Sequence, residues 1–155
     1  LAAWERAGYQ IVGGPGNLGR GQAQEVVAGQ LPVATIDEVK NFDGVLIDTR
    51  EANRYAGRKE RLDLKAGHIP GAVSVPTREI LNPDNTFRPA EEIRATFEKV
   101  GVTDPNNVIV YSGSGVHSAQ AIAAMHHAGL PGAALYLGGW SQWCADRNNP
   151  VERSD

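Results

Sequence analysis

The sequence predicts an α/β fold, a mainly parallel sheet flanked by helices on both faces, and two observations carry that reading. Short apolar runs rich in β-branched residues alternate with helical stretches that bring their own start and stop signals. One such run, Val108-Ile109-Val110-Tyr111, feeds a glycine-punctuated loop, Ser112-Gly113-Ser114-Gly115-Val116-His117, which opens into an Ala-rich helix. A chain of 155 residues, 41% hydrophobic and 21% charged, suits one hydrophobic core and an ordinary soluble globular domain.

In chain order, Leu1 to Val12 contains the pattern Leu-small-small-Trp, which returns at Leu137-Gly138-Gly139-Trp140. Because the chain opens on Leu1 without a basic start or apolar run, residues 1–12 read as the tail of a preceding, similar domain. The glycine-rich stretch 13–32 reads as a linker, with a brief helix possible over Ala23 to Ala28. The domain proper is expected over 33–151, with 152–155 a C-terminal tail. Thr35-Ile36-Asp37-Glu38 has capping-box spacing, so a helix starts there and ends near Phe42. Val45-Leu46-Ile47 is a buried strand and Val73-Ser74-Val75 a second. Pro89 at a first helical position and Gly101 beyond the last turn bracket a helix. After the strand Val108 to Tyr111, a helix is expected from about Ser118 to Ala128, closed by Gly129. Ala134-Leu135-Tyr136 is a last strand, followed by a turn holding Trp140 and Trp143.

Charge and cysteine content exclude whole classes of function. A net charge of −3, with Arg and Lys scattered along the chain, leaves no footprint for nucleic acid. No apolar stretch is long enough to cross a bilayer. The single cysteine, Cys144, permits neither an internal disulfide framework nor a multi-cysteine metal site, and points to a reducing, cytoplasmic compartment. Cys144 itself reads as a packed residue beside Trp143 on a terminal helix, with no cation preceding it to activate the thiol. His126 and His127, late in a helix with no third ligand near them, make no metal centre, and neither metal nor cofactor is expected.

The chemistry gathers at the strand ends. A strand, a short glycine loop and a helix start aim backbone N–H groups and the positive end of a helix dipole at one point beside Ser112. Glycines at 113 and 115 admit conformations that a β-carbon resists, and Ser114 can turn its hydroxyl inward. The result is an anion cradle. Ligands of such sheets sit beyond the carboxyl ends of the strands, so the loop after Ile47 faces the same place, with Asp48-Thr49-Arg50 and then Gly67-His68-Ile69-Pro70-Gly71-Ala72.

Taken in order, Asp48-x-Arg50, Gly67-His68-Ile69-Pro70-Gly71-Ala72, the glycine loop and Gly138-Gly139-Trp140 resemble a rhodanese domain, over about 33 to 151. Within that family the chain resembles the second, catalytic half of two-domain sulfurtransferases acting on mercaptopyruvate or thiosulfate. The resemblance implies a small-molecule sulfur donor, a thiol or cyanide acceptor, and a preceding rhodanese-like domain as partner. It also implies a persulfide carried on a cysteine at the first loop position, which here is Ser112. Two explanations stand: a deliberate Cys-to-Ser replacement, favoured by the intact loop around it, or natural loss of the nucleophile. Gly113 and Ser114 match the mercaptopyruvate type, since the thiosulfate type carries cations there. Serine lacks the acidity to form the attacking anion, and no general base is evident, so the chain is expected to bind but not to turn over sulfur.

By the same resemblance Arg54 and Arg61 grip a substrate carboxylate, with Arg58 or Lys59 as substitutes for Arg61 in a shortened segment. Asp48 braces the loop and Arg50 holds nearby backbone or carboxylates. His68 has a structural duty across the turn at Pro70 and Gly71, and His117 stands where many relatives carry threonine. A phosphatase of related topology needs an arginine six residues after its nucleophile, where this chain has Ser118. A serine hydrolase needs a histidine and an acid converging on Ser112. The remaining rival is a noncatalytic rhodanese-like binding or regulatory module.

Overall fold

A computed structural model describes residues 1–16, 19–22 and 29–154. The helix expected over 23–28 lies outside the described residues. After a short helix α1 (Ala2–Arg6), the order is α2 (Ile36–Lys40), β1 (Val45–Asp48), α3 (Ala52–Tyr55), β2 (Val73–Ser74), α4 (Ala90–Lys99), β3 (Val108–Tyr111), α5 (Val116–His127), β4 (Ala134–Tyr136) and α6 (Gly139–Ala145). The strands form one parallel sheet in the order β2-β1-β3-β4. Ile47 pairs with Val110 on one side and Val73 on the other, so the ends of β1 and β3 lie side by side.

The period of two along each strand divides the core between the faces. Ile47, Val108 and Val110 pack with Ile93 and Phe97 of α4 and with Ala121, Ala124 and Met125 of α5. Leu46, Ile109 and Tyr111 point the other way, to Val39 of α2 and Trp140, Trp143 and Cys144 of α6. Helices therefore cover both faces, as the alternation of elements predicts. Cys144 is buried, with its thiol 3.6 Å from the Ser141 carbonyl.

Local signals account for most boundaries. The capping box forms: the Thr35 hydroxyl accepts from the Glu38 N–H, and the Glu38 carboxylate accepts from the Thr35 N–H at 2.6 Å. That helix stops at Lys40, two residues short of Phe42, which packs against the core instead. Pro89 stands just outside α4, as its N-cap. Val75 lies past the end of β2, although its N–H still reaches the Asp48 carbonyl at 2.9 Å. Two expectations are corrected. Helix α5 starts at Val116 because Gly115 before it takes a left-handed φ of +88° and turns the chain directly into the helix. The segment around Trp140 and Trp143 is helix α6, whose first residue, Gly139, has φ +55°.

Residues 1–12 are exposed, and Trp4 packs on Tyr9 with ring centroids 4.4 Å apart. At the other end the chain returns to the fold after Pro150, where Glu152 and His68 exchange backbone hydrogen bonds of 2.9 and 3.0 Å. Among the described residues no helix is long and apolar enough to cross a membrane.

Candidate functional site

Strand β3 delivers Ser112 to the floor of the loop, where it is 1% exposed. Its Oγ accepts from the Gly115 N–H at 3.1 Å. Val116, His117 and Ser118 follow as the first three residues of α5, so their N–H groups lack intrahelical partners and stand at the positive end of the helix. The two loop glycines have different duties. Gly115 needs its left-handed φ, and a β-carbon there would press on Leu137. Gly113 does not take a left-handed φ; the nearest atom to a β-carbon there is Arg54 Nη1 at 3.5 Å, so its smallness leaves room. Ser114 is exposed. The hydroxyl that meets Ser112 belongs to Ser118, 3.1 Å from Ser112 Oγ and 3.0 Å from the Gly115 carbonyl.

The outer side of the loop is tied down by α6. The Trp140 N–H donates to the Ser112 carbonyl at 2.8 Å and the Ser141 N–H to that of Gly113 at 3.1 Å. A β-carbon at Gly139 would collide with both carbonyls, so glycine at 139 is a requirement of this approach. Just past β1, the Thr49 N–H and hydroxyl both donate to the Tyr111 carbonyl at 3.0 Å.

Asp48 and Arg50 are 0% and 1% exposed and bound to each other. The Asp48 carboxylate accepts from Arg50 Nη2 at 2.6 Å, from Nε at 3.0 and 3.1 Å, and from the Arg50 N–H at 2.9 Å. Arg50 Nη2 also donates to the Gly67 carbonyl at 2.6 Å, and the guanidinium lies 4.6 Å over the Trp140 ring. Burial works against the Arg50 charge, but Asp48 outweighs it and holds the group protonated above its ordinary range. Burial, and then the Asp48 charge, push the Tyr111 hydroxyl well above its usual value. The expected brace from Asp48 to the 112–117 loop is thus corrected: a fully buried carboxylate needs a counter-charge and takes it from Arg50, while Thr49 holds the start of the loop.

Arg54 donates through Nε and Nη2 to Glu60 at 3.0 to 3.2 Å and through Nη2 to Asp63 at 2.6 Å, which leaves Nη1 facing Gly113. Glu60 also accepts the N–H groups of Arg61, Leu62 and Asp63, at 2.9, 2.9 and 3.1 Å. Burial favours the neutral form of Glu60, but the N–H groups of Leu62 and Asp63 and the Arg54 guanidinium outweigh it and lower its pKa. A cavity of about 420 Å³ is lined by Arg50, Glu51, Arg54, Lys59, Glu60, Arg61, Leu62 and His117. It brings Arg54, Arg61 and His117 together; Ser112 lies outside its lining.

His68 is corrected in its partner. Its Nδ1 meets the Tyr55 carbonyl at 2.8 Å and its ring stacks on Tyr55 at 3.8 Å, whereas the Gly71 N–H donates to Glu152. His127 lies near the Phe87 ring, 5.9 Å away. Among the described residues no three His, Cys, Asp or Glu side chains gather as a metal site. Sequence reasoning missed Thr49, Glu60, Asp63 and Ser118 as parts of the site. The signal for Glu60 was its position between the two arginines; Ser118 had none beyond its place on the first helical turn.

Residues 33–146 match the rhodanese-like domain family. The chain is 34% identical over 159 residues to the "Probable 3-mercaptopyruvate sulfurtransferase" of Pseudomonas aeruginosa, covering 100% of this chain and 56% of that protein. It is 31% identical over 157 residues to the 3-mercaptopyruvate sulfurtransferase of Escherichia coli K12, covering 98% and 56%. The solved structure of 3-mercaptopyruvate sulfurtransferase from Leishmania major superposes with a TM-score of 0.76 at 32% identity, over 90% of this chain and 40% of that one. The chain spans about half the length of the curated relatives it matches.

Two outcomes are expected from this geometry. Replacing Asp48 by Ala strands a buried guanidinium and lowers stability by about 3–5 kcal/mol in urea unfolding, and the Asp48→Ala/Arg50→Leu double variant recovers part of the loss. Glu60 binds its proton less readily folded than unfolded. Its stabilisation is therefore complete above the ordinary glutamate pKa of about 4.3 and disappears as pH falls through the lower folded value. Urea midpoints measured from pH 6 down to about 3 should fall, and fall less in Glu60→Gln.

Proposed function

We propose, for a chain that belongs to the rhodanese-like domain family, that the loop 112–117 is a sulfur-transfer cradle whose sulfur-carrying position is filled by Ser112. The observation that carries the reading is the Gly115 N–H aimed at the side chain of residue 112 from a left-handed glycine at the positive end of α5. A cysteine thiolate in that place is stabilised by the same donors, and attacks a donor sulfur. With mercaptopyruvate the carbon–sulfur bond breaks, its electrons leave on pyruvate, which takes up a proton, and the sulfur stays as a persulfide. A thiol or cyanide then removes that sulfur and returns the thiolate.

Serine does not support this cycle. Its hydroxyl is far less acidic, and its hydrogen-bond partners are the Gly115 N–H and the Ser118 hydroxyl, neither of them a base. The chain as it stands is therefore a sulfurtransferase-family domain that binds donor without turning it over. Arg54 Nη1, facing the open space at Gly113, and Arg61 on the cavity wall are the proposed contacts for the donor carboxylate, with His117 beside them. The two carboxylates on Arg54 leave it one free nitrogen, so it contributes a single-point contact and Arg61 the second charge. Uncharged residues at 113 and 114 favour mercaptopyruvate over thiosulfate as donor, and relatives of about twice the length make a preceding rhodanese-like domain the proposed neighbour.

A second reading, a noncatalytic binding module, draws support from the near-complete burial of Ser112 and its place outside the cavity lining. Sulfur transfer to cyanide separates the two, measured for the chain and for Ser112→Cys with mercaptopyruvate and thiosulfate supplied separately. Turnover only in the variant, faster with mercaptopyruvate, is the expected outcome. A folded variant inert with both donors would overturn the sulfur-transfer reading in favour of binding, and equal turnover in both proteins would place the nucleophile elsewhere.

A further inference from the structure

The reading above gives Ser118 no chemical role beyond its contact with Ser112, yet its side chain is 0% exposed and touches the sulfur-carrying position. It is the third residue of α5, and its Oγ lies between Ser112 Oγ, 3.1 Å away, and the Gly115 carbonyl, 3.0 Å away. A hydroxyl has one hydrogen, so the three contacts at this point admit few arrangements. The Gly115 N–H donates to Ser112 Oγ. If Ser118 donates to the Gly115 carbonyl, Ser112 donates to Ser118, and every group has a partner.

The alternative arrangement is equally well provided for. The Gly115 carbonyl already accepts from the Ala119 N–H at 2.9 Å, the first turn of α5. Rotation of the Ser118 hydroxyl away from that carbonyl therefore strands no buried acceptor. Turned towards residue 112, the same hydrogen supplies a second direct donor, beside the Gly115 N–H, to whatever atom stands there. The rotation has a purpose only when that atom is negatively charged and has no hydrogen of its own to give.

We infer that Ser118 is a positioning residue, a one-hydrogen rotor that stabilises an anion on the side chain of residue 112. The inference rests on the reading of 112 as the sulfur-carrying position, because it is a thiolate there that receives the hydrogen. Without the Ser118 hydroxyl the anion keeps only the Gly115 N–H and the helix end, and its proton is held more tightly.

The test compares the 155-residue chain carrying Ser112→Cys with the same chain carrying Ser112→Cys/Ser118→Ala, following alkylation by iodoacetamide from pH 5 to 10. Peptide mapping assigns the alkylated position, since Cys144 is buried. Loss of the hydroxyl should move the midpoint of the profile up by about one pH unit, the size expected of a hydrogen bond to a charged group, and slow alkylation about three- to tenfold in the acidic limb, where greater nucleophilicity offsets part of the lost thiolate. The alkaline plateau should not fall, because both thiols are ionised there and the thiolate of higher pKa is the better nucleophile, whereas a loss of access or packing lowers it. Profiles that coincide within twofold throughout, or a double variant that differs only on the plateau, would overturn the inference. If the single variant ionises near the ordinary thiol value of about 8.5 and transfers no sulfur, the sulfur-transfer reading fails instead, whatever Ser118 does. Urea midpoints of both variants check that they are folded; should Ser118→Ala unfold, the Ser118 Cβ resonance of Ser112→Cys is followed by NMR over the same pH range, where a shift that titrates with the thiol is expected and a constant one would overturn the inference.

Discussion

A peptide unit carries its donor and its acceptor on opposite edges, so a loop can turn N–H groups inward only if its carbonyls find donors outside. In this chain those donors come from the first turn of α6, where the N–H groups of Trp140 and Ser141 meet the carbonyls of Ser112 and Gly113. The close approach requires glycine at 139, since a β-carbon there would enter the space of both carbonyls. Gly115 completes the turn from the inside, with the left-handed φ that sends its N–H to Ser112 and starts α5 one residue later. The loop is thus held in this shape by contacts within the chain, and the carbonyls it turns outward find their donors on α6.

The second loop depends on the first through Trp140. Its ring lies under the Arg50 guanidinium, and Arg50 in turn ties Asp48, at the end of β1, to the Gly67 carbonyl. One buried ion pair therefore joins the strand end, the Gly67-His68-Ile69-Pro70 segment and the helix that caps the cradle. Above this layer the charges are arranged differently. Arg54, partly exposed, is held by Glu60 and Asp63, and Glu60 gathers three successive backbone N–H groups of the segment it begins. Carboxylates thus position the cations of the cavity wall and limit how many of their donors remain for a ligand.

The parts of this arrangement that were legible in the sequence are those dictated locally. The apolar runs at 45–47, 108–111 and 134–136 mark their strands because the parallel sheet buries both faces. Thr35 and Glu38 declare a helix start through three residues of chain, and the ordered motifs around Asp48, Gly67, Ser112 and Gly138 point to the family that residues 33–146 match. What was not legible depends on meetings between distant segments. Nothing near Gly113 says that Arg54 comes to face it, and nothing near His68 says that Tyr55 stacks on it. Asp48 reads as a brace for the loop until its burial beside Arg50 is seen. Gly139 reads as turn punctuation until the carbonyls of Ser112 and Gly113 are placed against it. Ser118 carries no pattern at all, because its role is set by a single hydrogen between two atoms brought together by the helix start.

The proposed anion site belongs to the loop of this chain as it stands, serine included. It is tested most directly by titrating the chain with mercaptopyruvate while following backbone amide NMR shifts. Saturable shifts are expected, concentrated on the amides of 113–118 and on the Arg54 side chain, with the strands unmoved. Shifts that stay linear with concentration, or that spread over exposed basic residues while the loop amides hold still, would contradict it.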